Sequence, residues 1–282
     1  MAQSEEKIKA LKDYFARRND VSMAFVFGSR AKNSAVKISD WDIAVYFKPL
    51  SNIVERESNR DYPEENNVWG DLIKILETDN VDLIVLNRAA ASIASLAIKG
   101  VPLVIKDKKI YLEFMLIASR EAEDYRQTAK EYAEIYWRSS SLSEEDKDIL
   151  NKRLIFLDSE LRDADKFRGL TRLEYEKDSM KRRQTERWIE NLMNTIIDIA
   201  KTILASEKRP IPSSYREILR AIGSLPDFSE NLGKELAKWS ELRNILAHEY
   251  LDIRWNRIED FIKRSGPYFK EFIEVVKETV RN

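Results

Sequence analysis

Cysteine is absent from the 282 residues, and histidine occurs once, at position 248. The lack of thiols excludes disulfides, thiolate zinc sites and cysteine nucleophiles. Glycine is scarce, at seven residues. No apolar run reaches the roughly 18 residues of a membrane span. The opening MAQSEEKIKA is polar and acidic, unlike the basic and then apolar start of a signal peptide. Neither sign of charge is in excess: the formal net charge is -1 and the pI about 6.2. Nothing global therefore attracts nucleic acid or a membrane, and any affinity for RNA must come from a local patch. Together these absences fit a cytoplasmic protein without a membrane partner.

What is present is charge of both signs, 34% of the chain, beside 43% hydrophobic residues. That composition describes a globular protein with salt-laced helical surfaces, long enough for one large or two modest cores. Up to about residue 110 the pattern is α/β. Short runs rich in β-branched and aromatic residues predict strands at 23–27, 42–47, 81–86 and 103–105. Helices are predicted through Ile8, Leu11 and Phe15, with Ser4 as N-cap, and over 68–76 and 89–98. Beyond Lys109 the strand signals stop. Helical spacing covers 111–138, 144–168, 185–206, 214–222, 232–247 and 254–280. Ser143 with Asp146, and Ser214 with Glu217, have the spacing of capping boxes. The second half reads as an all-α antiparallel helix bundle. The composition shift at KDKKIY divides the chain into domains 1–108 and 109–282.

The densest chemistry lies in FVFGSRAKNSAVKISDWDIAVYF, a strand, a Gly-Ser turn, a short helix and a second strand. Gly28 lacks a Cβ and lets its backbone approach a phosphate. Ser29 adds a hydroxyl, and the helix N-terminus adds unpaired N–H groups. Arg30 and Lys32 supply countercharge. Asp40 and Asp42, two residues apart at a strand start, point the same way. Such paired oxygens suit Mg²⁺, which takes carboxylates together with phosphate oxygens. Asp82 opens a third apolar strand, where a buried charge is costly unless coordinated or paired. Taken singly, each of these has a plain structural explanation as a turn, a cap or a surface pair; the order and spacing carry the functional reading.

Gly28-Ser29-x-Ala31-Lys32, Ser39-Asp40-x-Asp42 and a later strand Asp resemble the minimal nucleotidyltransferase (MNT) family, a branch of the polymerase β-type fold, over about residues 1–106. The resemblance implies ATP as substrate. Gly28 and Ser29 would hold its triphosphate, Asp40 and Asp42 would bind Mg²⁺, and Asp82 would serve as the third catalytic carboxylate. Asn33, where many members carry Gly, departs from the pattern without removing a catalytic group.

The lone histidine lies in RNILAHEY. On one continuous helix at ~100° per residue, Arg243 and His248 stand ~140° apart. Either the helix ends near Ala247, or a second copy completes the site across a symmetric dimer. Arg243 paired with Glu241 or Glu249 is the plain structural alternative. The segment Arg243-Asn244-x-x-x-His248-x-Tyr250 resembles the signature of the HEPN family in its HepT-like toxin branch. It implies a metal-independent ribonuclease acting on RNA, with His248 as general acid or base, Arg243 stabilising the transition state and Asn244 orienting the site. In related two-gene toxin–antitoxin systems the MNT partner transfers AMP to the motif tyrosine, which makes Tyr250 the implied acceptor. Self-association as a homodimer or higher homo-oligomer is expected through this domain. Lys181, Arg182, Arg183 and Arg187 form a basic stripe that could face RNA. The rival reading is a small-molecule nucleotidyltransferase of the aminoglycoside-modifying type, with the helical domain as acceptor scaffold.

Overall fold

The computed structural model describes residues 2–31, 40–51, 53–138, 141–248 and 255–281, and the side chains of all these except residues 2–4 and 248. The chain forms two compact units, Met1–Glu123 and Asp124–Asn282.

The first unit is built on a four-stranded mixed sheet of order β3-β2-β1-β4. Its strands are β1 (Val21–Phe27), β2 (Trp41–Phe47), β3 (Val81–Val85) and β4 (Val101–Ile105). The helices of this unit are α1 (Ala2–Arg17), α2 (Gly28–Ala31), α3 (Glu64–Leu76), α4 (Ala91–Ile98) and the beginning of α5 (Lys108–Arg138). β1 is antiparallel to both β2 and β4, while β2 and β3 run parallel across the α3 crossover. Every residue of β1 is buried, because both sheet faces are covered. Val21, Ala24 and Val26 pack with Leu11 and Phe15 of α1 and Val68, Leu72 and Leu76 of α3. Met23, Phe25 and Phe27 pack with Ala94 and Ala97 of α4 and Ile110 and Phe114 of α5. A register shift between Val21 and Met23 inserts one residue there. That bulge is why Val21 and Ala24, three apart, share a face. Pro102, which has no N–H to donate, is confined to the edge strand β4.

The loop after β2 is pinned by Asn87, whose exposure is 0%. Its Oδ1 accepts from Phe47 N at 2.8 Å, and its Nδ2 donates to Phe47 O at 3.0 Å and Glu55 Oε2 at 3.3 Å. Glu55 also accepts from Tyr62 Oη at 2.9 Å and Leu50 N at 3.0 Å.

The second unit contains the rest of α5 and helices α6 (Glu144–Arg162), α7 (Arg172–Lys177), α8 (Ser179–Ser206), α9 (Tyr215–Ile222), α10 (Glu230–His248) and α11 (Trp255–Arg281). A 3₁₀ turn, Asp163–Lys166, follows α6. α8 is the central helix, buried at Ile196, Ile197, Ile199, Ala200, Ile203 and Leu204 and so enclosed nearly all round. Lys201 is buried with them, ion-paired to Glu131 and, at 3.0 Å, to Asp198. No described helix is long and apolar enough to cross a membrane.

Several local expectations are corrected. Ser4 is not an N-cap, since α1 is already helical at Ala2. The helix predicted over 144–168 gives way at Asp163 to the 3₁₀ turn, and the short helix α7 was not foreseen. Asp178 caps α8 by accepting from Met180 N and Lys181 N, so that helix starts six residues before the predicted Thr185. Ser143 and Asp146 form the reciprocal box. Ser214 accepts from Glu217 N, but the Glu217 carboxylate turns to Ser213 N and Oγ, both at 2.7 Å.

Asn87→Ala strips Phe47 of both its side-chain partners in a dry site. The expected loss is about 2–3 kcal/mol of unfolding free energy. Urea denaturation read by circular dichroism should show a lower midpoint with an unchanged slope.

Candidate functional site

Two groups of polar side chains stand out, one in each unit. The first lies where β1 ends and β2 and β3 begin. Gly28 has φ +70°, a left-handed conformation that favours glycine. A Cβ there would collide with Asp42 Oδ2 and lie 2.8 Å from Asp42 Cγ. Glycine thus permits the carboxylate to rest directly on the turn. Gly100 has the same role at the β4 side, where a Cβ would collide with Val26 O.

Asp42 and Asp82 are register partners in the parallel pair. Adjacent strands stand about 4.8 Å apart, and paired residues present the same face. The Asp42 carboxyl is raised above the usual range, chiefly by burial, then by the charges of Asp82 and Asp40, with Arg30 opposing. Two acidic neighbours therefore act on Asp42 here. Arg30 donates from Nε to Asp40 O at 3.0 Å and lies 4.4 Å from the Trp41 ring centroid. Trp69 Nε1 donates to Val81 O at 3.1 Å, beside Asp82.

Two details differ from the sequence reading. Asp82 is exposed, because β3 is an edge strand, so burial is not what makes its charge notable. Asp40 precedes β2 by one residue, so strand alternation does not fix its direction. Ser29 sits half-buried in α2, which is described only as far as Ala31. Lys32, Asn33 and Ser39 lie outside the described residues.

The second group surrounds Arg243 on α10, only 8% exposed. Its Nε donates to Asn194 Oδ1 at 2.7 Å, and its Nη1 donates to Asp124 Oδ2 and, at 3.4 Å, to Asn244 Oδ1. The guanidinium lies 4.6 Å from the Tyr215 ring centroid. Tyr215 Oη donates to Asp124 Oδ2 at 3.2 Å. Burial pushes the Tyr215 phenol up to about 12, with Arg243 opposing. Among the described carboxylates Asp124, not Glu241, is thus the one that pairs with Arg243; Glu241 pairs with Arg257 at 2.9 Å and Arg216 at 3.5 Å, and Glu249 lies outside the described residues. Asn244 is buried as well. α10 is continuous through His248, whose backbone is therefore ~140° around the helix from Arg243. Tyr250 lies outside the described residues.

Residues 9–109 match the family model described as Polymerase beta, Nucleotidyltransferase. Residues 157–276 match the model described as Ribonuclease HepT-like. The chain joins a nucleotidyltransferase domain to a HepT-like domain. Comparison with curated proteins finds no match.

In the nucleotidyltransferase domain the acidic donors suit a hard divalent cation in kind. Among the described residues no three His, Cys, Asp or Glu side chains are grouped to hold a metal ion by themselves. Mg²⁺ commonly takes one or two carboxylates and completes its shell with water and substrate phosphates. The half-buried Asp42, raised by burial and then by its acidic neighbours, is a group whose charge a cation would offset.

In the second unit, sequence reasoning missed Asp124, Asn194 and Tyr215. A signal existed for Asn194: with Asp198 it forms a polar i, i+4 pair inside a largely apolar stretch of α8. Nothing local marks Asp124. The basic stripe begins α8; Lys181 is paired with Glu174 at 2.6 Å and Arg187 with Glu190 at 3.4 Å. Lys181, Arg183 and Arg187 line a cavity of about 770 Å³ with Phe167 and Trp188.

A carboxyl whose folded-state pKa is raised favours the native state only while protonated. Its charged form opposes folding above that pKa, and the opposition vanishes below the unfolded value of about 3.9. Asp42→Asn should therefore raise Tm at pH 7, with the gain fading as pH falls through the carboxylate range. Paired thermal melts at the two ends of that range check it; a gain independent of pH would contradict a cost of charging Asp42 in the folded state.

Proposed function

We propose that the nucleotidyltransferase domain transfers AMP from ATP to Tyr250 of the HepT-like domain, in the same chain or a neighbouring copy, and that the HepT-like domain cuts RNA while Tyr250 is unmodified. The pair would form a self-silencing toxin–antitoxin unit in the cytoplasm, assembled as a homodimer or larger homo-oligomer through the HepT-like domain. The observation that carries this reading is the register pairing of Asp42 with Asp82 beside the Gly28 turn, in a domain that matches a nucleotidyltransferase model. The complete Arg243-to-Tyr250 motif within the HepT-like match supports the second half.

In this mechanism Gly28, Ser29, Arg30 and Lys32 hold and neutralise the triphosphate. Asp40, Asp42 and Asp82 would hold Mg²⁺, which supplies charge neutralisation at the phosphates. The Tyr250 oxygen attacks the α-phosphorus. The bond from that phosphorus to the oxygen bridging to the β-phosphate breaks, and pyrophosphate leaves. Asp82 takes the phenolic proton. In the HepT-like domain His248 moves a proton at the 2′-OH or the leaving oxygen, Arg243 stabilises the charged transition state, and Asn244 orients the site. The basic rim of α8 would guide the RNA backbone.

Incubation with α-labelled ATP and Mg²⁺ should label the wild-type protein, with the adduct mapped to Tyr250 by mass spectrometry. Asp42→Ala should lose the label by about 100-fold or more, the scale of removing a group that acts on developing charge. Equal labelling of the two proteins contradicts the reading. Independently of activity, Mg²⁺ with a non-hydrolysable ATP analogue should raise the Tm of the wild type and not of Asp42→Ala, since only ligand bound to the folded state stabilises it.

A further inference from the structure

Arg243 is anchored more completely than a cation awaiting a phosphate needs to be. Nε is held by Asn194 on α8, and Nη1 by Asp124 on α5 with a longer contact to Asn244. The Tyr215 ring covers its face, and the Tyr215 hydroxyl donates to the same Asp124 oxygen that Arg243 grips. Thr128 Oγ1 stands 3.3 Å from that hydroxyl. Four helices, α5, α8, α9 and α10, thus converge on one guanidinium. Only Nη2 makes no hydrogen bond among the described residues. It is not one of the buried polar atoms left without a partner, which are Arg209 Nε, Arg216 Nε and Trp239 Nε1.

We infer that Asp124, Asn194 and Tyr215 are positioning residues for RNA cleavage: they lock the Arg243 guanidinium so that its Nη2 amino group is the donor presented to the scissile phosphate. The inference rests on the ribonuclease reading of the HepT-like domain. A guanidinium is a planar fork, so in-plane bonds at Nε and Nη1 stop its rotation, while the aromatic face sets its tilt. The rotamer freedom of a long side chain is then already lost before substrate arrives, and a donor aimed in advance loses nothing to reorganisation. Asp124 also neutralises a cation that would otherwise be buried alone. A Lys at 243 has no plane to lock and could not use this arrangement.

The test is cleavage of an RNA oligonucleotide by full-length protein shown by mass to be free of AMP. Asp124→Asn should lower kcat by about 10–100-fold with KM within about twofold, the cost of a misplaced catalytic group. Asp124→Glu should recover part of that loss. Added to Arg243→Met, Asp124→Asn should cost nothing further, because it acts only through Arg243. An unchanged kcat in a cooperatively melting Asp124→Asn, or full additivity with Arg243→Met, overturns the inference. Should Asp124→Asn fail to melt cooperatively, Tyr215→Phe decides, since it deletes only the hydroxyl that braces Asp124. A severalfold fall in kcat there supports the locking, and an unchanged kcat overturns it. His248→Ala separates the two levels: cleavage that persists in that variant removes the ribonuclease reading itself, whereas cleavage that needs His248 and ignores Asp124 removes only this inference.

Discussion

Neighbouring carboxylates repel, and in the nucleotidyltransferase domain strand pairing sets the backbones of two of them side by side. Parallel pairing of β2 with β3 puts Asp42 opposite Asp82, and the Gly28 turn closes over Asp42 from the β1 side. Burial first, and then the charges of Asp82 and Asp40, raise the Asp42 carboxyl as a result. Such an arrangement opposes folding at neutral pH, and the surrounding unit compensates through apolar burial. β1, the strand that leads into the glycine turn, is enclosed on both faces by two separate clusters. A strand held that firmly keeps the glycine turn in place against Asp42. The repulsion persists, and in the function proposed for this domain it becomes the affinity for a divalent cation and a triphosphate.

The second unit meets the opposite problem, a cation in a nearly dry interior. An isolated buried guanidinium is costly, so it requires a carboxylate and satisfied hydrogen bonds. Asp124 and Asn194 meet that need from helices that are far apart in sequence. The central helix α8 tolerates the polar Asn194, Asp198 and Lys201 because each has a partner on a neighbouring helix or on α8 itself. Where the two units differ is in exposure. Asp40 and Asp82 are open to solvent, whereas Arg243 and Asn244 are buried.

Much of the fold was legible because its signals are local. The four strands announce themselves as short β-branched and aromatic runs, and Asp146 closes its capping box three residues from Ser143. The errors also have physical causes. The 144–168 pattern keeps helical spacing past Asp163, yet the chain tightens into a 3₁₀ turn, where i→i+3 bonds replace i→i+4. Glu217 has two amide-and-hydroxyl donors within reach at Ser213 and takes them in place of the box partner. Asp82 opens an apolar run and so looks buried, but its strand occupies the sheet edge, a property of strand order and not of composition.

By itself the sequence determined most of the element types, the glycine turn, the spacing of the acidic residues and the Arg243-to-Tyr250 motif, since each depends on residues within a few positions of one another. Tertiary structure alone decided that Asp42 faces Asp82, because strand order and register join segments forty residues apart. It alone decided that Arg243 belongs to Asp124, Asn194 and Tyr215. A buried charge takes whichever complementary group packing delivers, and packing brings together helices whose spacing along the chain carries no record of the contact.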